Sequence, residues 1–109
     1  MYNVGYKVYI KVENLKTGKE IFSSKIEQSC FTEPRIQDEK LYFPDSNHSF
    51  SCIDYKNNKV LWKLKTKGRI REFQLVNDDI IIASVNTDGL VAIHSKTGKI
   101  KCIILFYYP

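Results

Sequence analysis

Residues 50–66, FSCIDYKNNKVLWKLKT, contain the pattern from which the rest of the chain is built. Two runs rich in aliphatic and aromatic residues, Phe50 to Tyr55 and Lys59 to Thr66, flank the short polar segment Lys56 to Asn58. Such runs on either side of a polar, asparagine-containing segment are typical of a β-hairpin. We therefore predict two antiparallel strands joined by a tight turn.

The same pattern occurs twice more. It precedes the central hairpin as IKVENLKTGKEIFSSKI, residues 10–26, and follows it as LVAIHSKTGKIKCIILF, residues 90–106. Gly18, Asn58 and Gly98 occupy the same turn position, at a spacing of 40 residues in both cases. Repeats of about this length built from short strands are typical of β-propeller blades.

The repeat predicts an all-β fold made of antiparallel four-stranded blades. We expect ten strands, arranged as two, four and four, in a single partial β-propeller domain of residues 1–109. The domain consists of a half repeat at 6–27 and full repeats at 32–66 and 69–107. Closed propellers have at least about four blades, so about two and a half repeats make an incomplete one.

Composition and charge exclude several classes of protein. The chain has a formal net charge of +5 and a hydrophobic content of 43%, which argues against disorder. Its three cysteines, Cys30, Cys52 and Cys102, have no spacing typical of a disulfide framework or a zinc site. We see no secretory signal and no apolar run approaching the roughly 18 residues of a membrane span. We expect a cytoplasmic protein, unless the chain is a fragment of a longer one.

Two segments resemble the repeat of the pyrroloquinoline-quinone-type, or quinoprotein alcohol dehydrogenase-like, β-propellers. The first has CID at 52–54 and KVLW at 59–62, and the second has DGLVAI at 88–93 and KTGK at 96–99. Redox members of this family hold the quinone at the axis of a complete ring, with a calcium-type ion and a catalytic aspartate. Other members are non-catalytic scaffolds, including an outer-membrane assembly lipoprotein.

The chain departs from the full family pattern in ways that bear on activity. Phe22 and Cys102 stand at the positions equivalent to Trp62, and Asn14 and His94 stand at those equivalent to Asp54. No residue can be matched to the family's quinone, ion or catalytic positions. We therefore expect no catalytic residue, no cofactor and no metal.

Individual polar and aromatic residues have structural interpretations that we favour over catalytic ones. We predict that Trp62 fills the space between blades, rather than offering a stacking platform for a base or sugar. We predict that Asp54 accepts backbone hydrogen bonds in its own turn, rather than serving as a catalytic or metal-binding carboxylate. Three further acids lack the spacing of a calcium loop: Asp78, Asp79 and Asp88.

A basic run crosses the boundary between the two full repeats. Between Lys56 and Arg71 there are seven cations and no acid. A stripe of such charges could face phosphates or an acidic protein, although lysines also protect an edge strand from pairing. Nucleic acid is the less favoured partner, because the only aromatic residue in the run, Trp62, faces away from the lysines. Six residues form this candidate surface for an anionic partner: Lys59, Lys63, Lys65, Lys67, Arg69 and Arg71.

The two ends of the chain predict contacts with another protein. The half repeat lacks the two strands that should precede it, and the last predicted strand, Lys99 to Tyr107, is apolar on both faces. Exposed apolar edges invite pairing, so we expect self-association or a protein partner, with Ile103, Leu105 and Tyr107 as the candidate interface. The alternative is that the half repeat folds back to close a small core.

The favoured function is a non-catalytic scaffold or protein-interaction module. Two alternatives remain open. One is an immunity or inhibitor-type protein that blocks a toxin or enzyme site, and the other is a fragment of a quinone-dependent dehydrogenase.

Overall fold

The computed structural model describes residues 8–26, 32–46, 48–86 and 89–104, and all regular structure in this part of the chain is β-strand. The strands are β1 Val8–Glu13, β2 Glu20–Ile26, β3 Arg35–Gln37, β4 Lys40–Ser46, β5 Ser49–Asp54, β6 Lys59–Lys65, β7 Ile70–Leu75, β8 Ile80–Val85, β9 Gly89–His94 and β10 Ile100–Ile104.

The strands form three antiparallel sheets in which every strand pairs with its neighbour in the sequence. β1 and β2 form the first hairpin, β3 to β6 the middle blade, and β7 to β10 the last blade. This arrangement of two, four and four strands is the one that the repeat predicts. β3 is only three residues long and begins directly after Pro34, which has no N–H to donate to a sheet.

The three equivalent turns share one backbone conformation. Gly18, Asn58 and Gly98 have φ angles of 72°, 53° and 74°, in the left-handed region that glycine and asparagine tolerate best. Asp54 Oδ1 accepts a hydrogen bond from the backbone N–H of Asn57 at 3.2 Å. Hydrogen bonds from the Asn57 side chain and backbone lower the pKa of Asp54. Asp54 therefore has the turn role predicted from the sequence.

The middle blade is covered on both faces. Between it and the last blade lies a core of aromatic and aliphatic side chains that includes Phe50, Phe73 and Ile81, all at most 2% exposed. Between it and the first hairpin lies a smaller core, which consists of Ile10, Val12, Phe22, Leu41, Phe43 and Ile53. Burial of these alternating side chains on two sides holds the three sheets in one stack.

Trp62 joins the middle blade to the last blade. Its ring lies within 5.6 Å of the Phe50 ring, centroid to centroid, and only 8% of the side chain is exposed. Its Nε1–H donates to the carbonyl oxygen of Ser95, on the last blade, at 2.7 Å. A Cβ atom at Gly98 would lie 2.5 Å from Trp62 Cδ2. The predicted role of Trp62 as packing between blades is confirmed.

The partly buried carboxylate of Asp45 links three strands of the middle blade. Asp45 on β4 accepts hydrogen bonds from Ser49 Oγ and, at 3.0 Å, from Ser51 Oγ on β5. Lys63 Nζ on β6 lies 2.9 Å from Asp45 Oδ2. Burial alone would raise the pKa of Asp45, but the hydrogen bonds from Ser49, Lys63 and Ser51 outweigh it and lower the pKa. The carboxylate thus stabilises three strands while it is ionised.

Replacing Gly98 with alanine should destabilise the chain far more than the same change at Gly18. At both sites an alanine would have to adopt a positive φ, which costs about 1–2 kcal/mol. The space around Gly18 is open, whereas Gly98 touches the Trp62 ring. Overpacking adds about 1–3 kcal/mol to the loss in Gly98→Ala. Urea denaturation of the two variants measures the difference directly, and equal losses would mean that the indole does not pack on this turn.

The ion pair and hydrogen bonds of Asp45 should make stability fall in acid. Because the folded-state pKa lies below the ordinary value of 3.8, the contribution is present above that value and is lost as the pH falls through the folded-state pKa. Asp45→Asn should therefore be less stable than the parent at neutral pH, and the gap should close in strong acid. Denaturation curves across this range test it, and a gap independent of pH would contradict the role of the charge.

Candidate interaction surface

One face of the last blade points away from the middle blade and is apolar over most of three strands. We call it the open face. Its side chains follow from the sheet register, in which Ile82 pairs with Ala92 and Ala92 with Cys102, while Ser84 pairs with Leu90 and Leu90 with Ile104. Residues paired across neighbouring strands share a face. The apolar part of the open face, on β8 to β10, therefore consists of Ile80, Ile82, Ser84, Leu90, Ala92, Cys102 and Ile104, and its polar margin consists of His94 on β9 and Glu72 and Gln74 on β7.

The corresponding face of the middle blade is covered. The positions 40 residues earlier hold Tyr42, Phe50, Cys52, Trp62 and Leu64, all of which belong to the core against the last blade. On the open face, by contrast, Ile104 is 40% exposed and Ile82 and Leu90 are half-buried. Four of these five repeat positions are thus core positions in the middle blade and partly or fully exposed in the last blade, whereas Ala92 remains buried.

The exposure of β8 differs from the sequence prediction. Its apolar run, Ile80 to Val85, predicts a strand buried on both faces. The structure buries Ile81, Ala83 and Val85 and leaves the alternate residues half-buried. The difference arises because no sheet in the described part of the chain packs on the open face.

The first hairpin ends the stack in the opposite way. Its outward-facing residues include the cross-strand neighbours Tyr9 and Lys25, and Lys11, which forms an ion pair with Glu20 at 3.8 Å. Glu13 is exposed and stands at the repeat position of Ile53, which is buried. Among the described residues, the outward face of the first hairpin is therefore more polar than the open face.

The predicted interface residues lie only partly within the described residues. Ile103 is 51% exposed and pairs with Val91, so it lies on the opposite side of the sheet from the open face. Leu105 and Tyr107 lie outside the described residues. The structure adds Ile82 and Leu90 to the candidate interface. An alignment of the repeats could have pointed to them, because they stand at positions that are buried in the middle blade.

The six predicted cationic residues are all exposed, but they do not form one continuous stripe. Lys63 and Lys65 share one face of β6, an edge strand of the middle blade, and a bulge in the register places Lys59 on the other face. Arg71 is on β7, an edge strand of the last blade. Lys67 and Arg69 lie in the connection between the two strands. Arg69 and Arg71 line a polar cavity of about 480 Å³ together with Thr32, Ile70 and Asn86.

A second cavity, of about 660 Å³, lies beside the open face. Ile80 contributes an apolar side chain to its lining, and the other lining residues are mostly basic or polar. Lys96 forms an ion pair with Asp79 at 3.4 Å. The lining is completed by Asn77, His94, Thr97, Lys99 and Lys101. The open face is thus bordered by positive charge at one end.

The titratable groups of the core are poorly suited to catalysis. Burial raises the pKa of the Cys52 thiol to about 11 and that of the Tyr42 hydroxyl to about 12. A nucleophilic cysteine requires a lowered pKa, so Cys52 acts as a small apolar side chain.

The chemistry of the described side chains does not fit a quinone-associated metal ion. Among the described residues, no three His, Cys, Asp or Glu side chains come together as a metal-binding group. This part of the chain also contains no helix of the length and apolarity that crossing a membrane requires.

No protein-family model and no curated protein matches the chain. Solved structures do. The crystal structure of BamB from Moraxella catarrhalis superimposes with a TM-score of 0.65 at 18% identity, over 88% of this chain and 30% of that one. A europium-containing methanol dehydrogenase superimposes with a TM-score of 0.67 at 16% identity, over 92% of this chain and 23% of that one.

The chain therefore spans less than a third of the length of either structure. At such low identity the likeness is one of fold. Both structures superimpose on the blades described above, and the 40-residue spacing of the sequence repeat agrees with that arrangement. The chain has the fold of a partial β-propeller, built from blades like those of these two proteins.

Proposed function

We propose that the chain is a non-catalytic protein-interaction module whose binding surface is the open face of the last blade. The observation that carries this proposal is the difference between two equivalent sheet faces. The face of the middle blade is core, whereas the open face presents Ile82, Leu90 and Ile104 to solvent. An exposed, contiguous apolar patch with a polar border is typical of a protein-binding surface.

The polarity of the first hairpin supports the same proposal. Lys11, Glu13 and Lys25 are exposed on its outward face, whereas aliphatic side chains lie at the centre of the open face. Of the two outermost described sheet faces, the open face is therefore the better suited to a protein partner.

Two alternatives have less support. A fragment of a quinone-dependent dehydrogenase would share the fold of the methanol dehydrogenase, but the described side chains bring together no carboxylate cluster for its ion. An inhibitor-type protein would use charge to block an enzyme, and the basic residues on β6 and β7 are suited to that. In that case a partner would contact Lys59, Lys65 or Arg71 rather than the open face. The cytoplasmic location expected from the sequence stays a prediction.

Site-specific photo-crosslinking should identify the binding surface. A benzophenone amino acid at Ile82 should give a discrete protein adduct in the cells that make the chain, because this position lies on the open face. The matched control is Ile21, an apolar residue of the first hairpin that is 42% exposed.

A second control places the crosslinker at Lys65 on β6. Adducts from Ile82 alone, abolished by Leu90→Lys, would support the proposal. Adducts from Lys65 but not from Ile82 would favour the inhibitor-type alternative and contradict the open face as the binding surface.

The purified chain should show no quinone-dependent dye reduction when it is mixed with pyrroloquinoline quinone and a calcium-type ion. The reason is that both carboxylate oxygens of Asp54, the only aspartate in residues 50–66, accept hydrogen bonds from Asn57 in the same turn. Dye reduction above background that is lost in Asp54→Asn would overturn the non-catalytic assignment.

A further inference from the structure

We propose that the cavity at the junction of the middle and last blades binds the phosphate group of a small ligand. This cavity lies where β7 begins, and its volume of about 480 Å³ is typical of a small-molecule site. Five described residues line it: Thr32, Arg69, Ile70, Arg71 and Asn86. The inference goes beyond the proposed function and does not depend on it, because Ile70 packs in the core between the two blades and not on the open face.

The side chains around the cavity are of the kinds that recognise phosphate. Arg69 and Arg71 carry guanidinium groups, whose planar set of N–H donors matches two phosphate oxygens at once. Asn86 adds an amide that can donate a further hydrogen bond. No acidic residue is among the described residues that line the cavity. An anion with several oxygen acceptors is therefore the chemically matched ligand.

A β-bulge lies where Arg71 enters the cavity wall. Ile70 pairs with Val85 and Glu72 pairs with Ser84, so the register leaves Arg71 without a partner on β8. Bulges redirect side chains and are frequent next to functional sites. Ile70 is only 3% exposed, whereas Arg71 is exposed. The bulge thus lets β7 bury Ile70 in the core and still present the next residue at the cavity.

Two hydrogen bonds hold this part of the backbone in place. Thr32 Oγ1, which precedes β3 of the middle blade, donates to the carbonyl oxygen of Ile70 at 2.9 Å. The backbone N–H of Asn86, directly after β8, donates to the carbonyl oxygen of Arg69 at 3.1 Å. The cavity is thereby formed by residues of both blades. A preformed site loses little conformational entropy when a ligand binds, which favours affinity.

Other cations of the chain already have anionic partners. Lys63 lies 2.9 Å from a carboxylate oxygen of Asp45, and Lys56 lies 2.9 Å from one of Glu39. The ion pairs of the described residues do not include Arg71. A phosphate group in the cavity would give Arg71 the kind of partner that Lys63 and Lys56 find within the chain.

The two arginines are not part of the repeat. Residues 67–71, which lead into β7, read KGRIR, whereas residues 28–32, which precede β3, read QSCFT and carry no basic residue. Positions that every blade needs recur at the repeat spacing, as Gly18, Asn58 and Gly98 do. The absence of Arg69 and Arg71 from the repeat therefore favours a binding role over a role in blade architecture.

The size of the cavity bears on the source of the phosphate. The same chemistry recognises free orthophosphate and a phosphate ester of a small molecule. A cavity of about 480 Å³ has more room than one phosphate group fills, so the volume favours an ester, with its organic part beside the guanidinium groups.

Isothermal titration calorimetry of the full chain tests the proposal. Orthophosphate and ribose 5-phosphate are the two ligands, ribose is the uncharged control, and the ionic strength is held constant so that screening is equal in every sample. Arg71→Gln should weaken binding by roughly tenfold or more, because it removes charge-assisted hydrogen bonds. Arg71→Lys should also weaken binding, since an ammonium group lacks the planar donor set. Lys65→Gln, which removes the same charge from β6, should bind like the parent.

A stability measurement gives an independent test. Because the cavity contains residues of both blades, bound orthophosphate should move the urea midpoint reported by Trp62 fluorescence to higher urea. Phosphate also stabilises folded proteins without occupying a site, so Arg71→Gln is the matched control and should show a smaller shift. Far-UV circular dichroism checks that each variant is folded. Equal shifts in the parent and in Arg71→Gln would contradict binding at the cavity.

The titrations have clear outcomes. Binding of neither phosphate ligand would overturn the proposal, and so would a dissociation constant that Arg71→Gln and Lys65→Gln change equally. Tighter binding of ribose 5-phosphate than of orthophosphate would support a phosphate ester as the ligand, whereas equal binding would support the phosphate group alone. Crosslinking from Ile82 tests the open face separately, so failure of one proposal leaves the other in place.

Discussion

The placement of the last blade on the middle blade depends on one contact, the indole of Trp62 against the turn that contains Gly98. The indole fills space that would otherwise separate the two sheets, and its N–H reaches the Ser95 carbonyl oxygen on the last blade. Ser95 in turn donates its hydroxyl to the carbonyl oxygen of Asp78, at 2.8 Å, in the turn between β7 and β8. One side chain of the middle blade is thereby connected to two turns of the last blade, which fixes how the sheets are placed.

The same contact explains why the repeat is not uniform. Phe22 stands at the equivalent place in the first hairpin and packs in the smaller core, where a phenyl ring fills space but offers no N–H. Cys102 stands there in the last blade, and it is exposed. The side chain at this position thus decreases in size where no further blade of the described chain is present to receive it.

The sequence predicts local structure well because the same hairpin pattern occurs three times, at a spacing of 40 residues. Strand boundaries, the positive φ at Gly18, Asn58 and Gly98, the turn role of Asp54 and the burial of Trp62 all follow from alternation and turn chemistry. The fold class follows from the same repeat. These features depend on residues close in sequence or on the next repeat.

Other features could not be predicted, because they depend on what is near in space. Burial of β8 on one face only depends on whether another sheet covers it, which periodicity cannot show. The cluster of Asp45, Ser51 and Lys63 has no counterpart in the last blade, where Val85, Val91 and Ile103 stand instead. The basic residues were adjacent in sequence and therefore predicted as one stripe, but a change of blade within the run separates them.

The function proposed here follows from unequal ends. The middle blade is covered on both sheet faces, so among the described residues only the outermost sheet faces and the sheet edges are open to a partner. Of the two outermost faces, that of the first hairpin carries Lys11, Glu13 and Lys25, and the open face carries aliphatic side chains on β8 to β10. This difference is the reason for proposing the open face as the binding surface.

The central claim is that Trp62 joins the middle and last blades into one cooperative unit, and Trp62 is the only tryptophan of the chain. Its fluorescence therefore reports on the junction between blades, while far-UV circular dichroism reports on the strands themselves. Urea unfolding followed by both signals in the same sample tests the claim most directly. Coincident transitions with one midpoint are the predicted result. A fluorescence transition at a clearly lower urea concentration, with the strands still formed, would contradict it, because the sheets would then persist without the Trp62 contact.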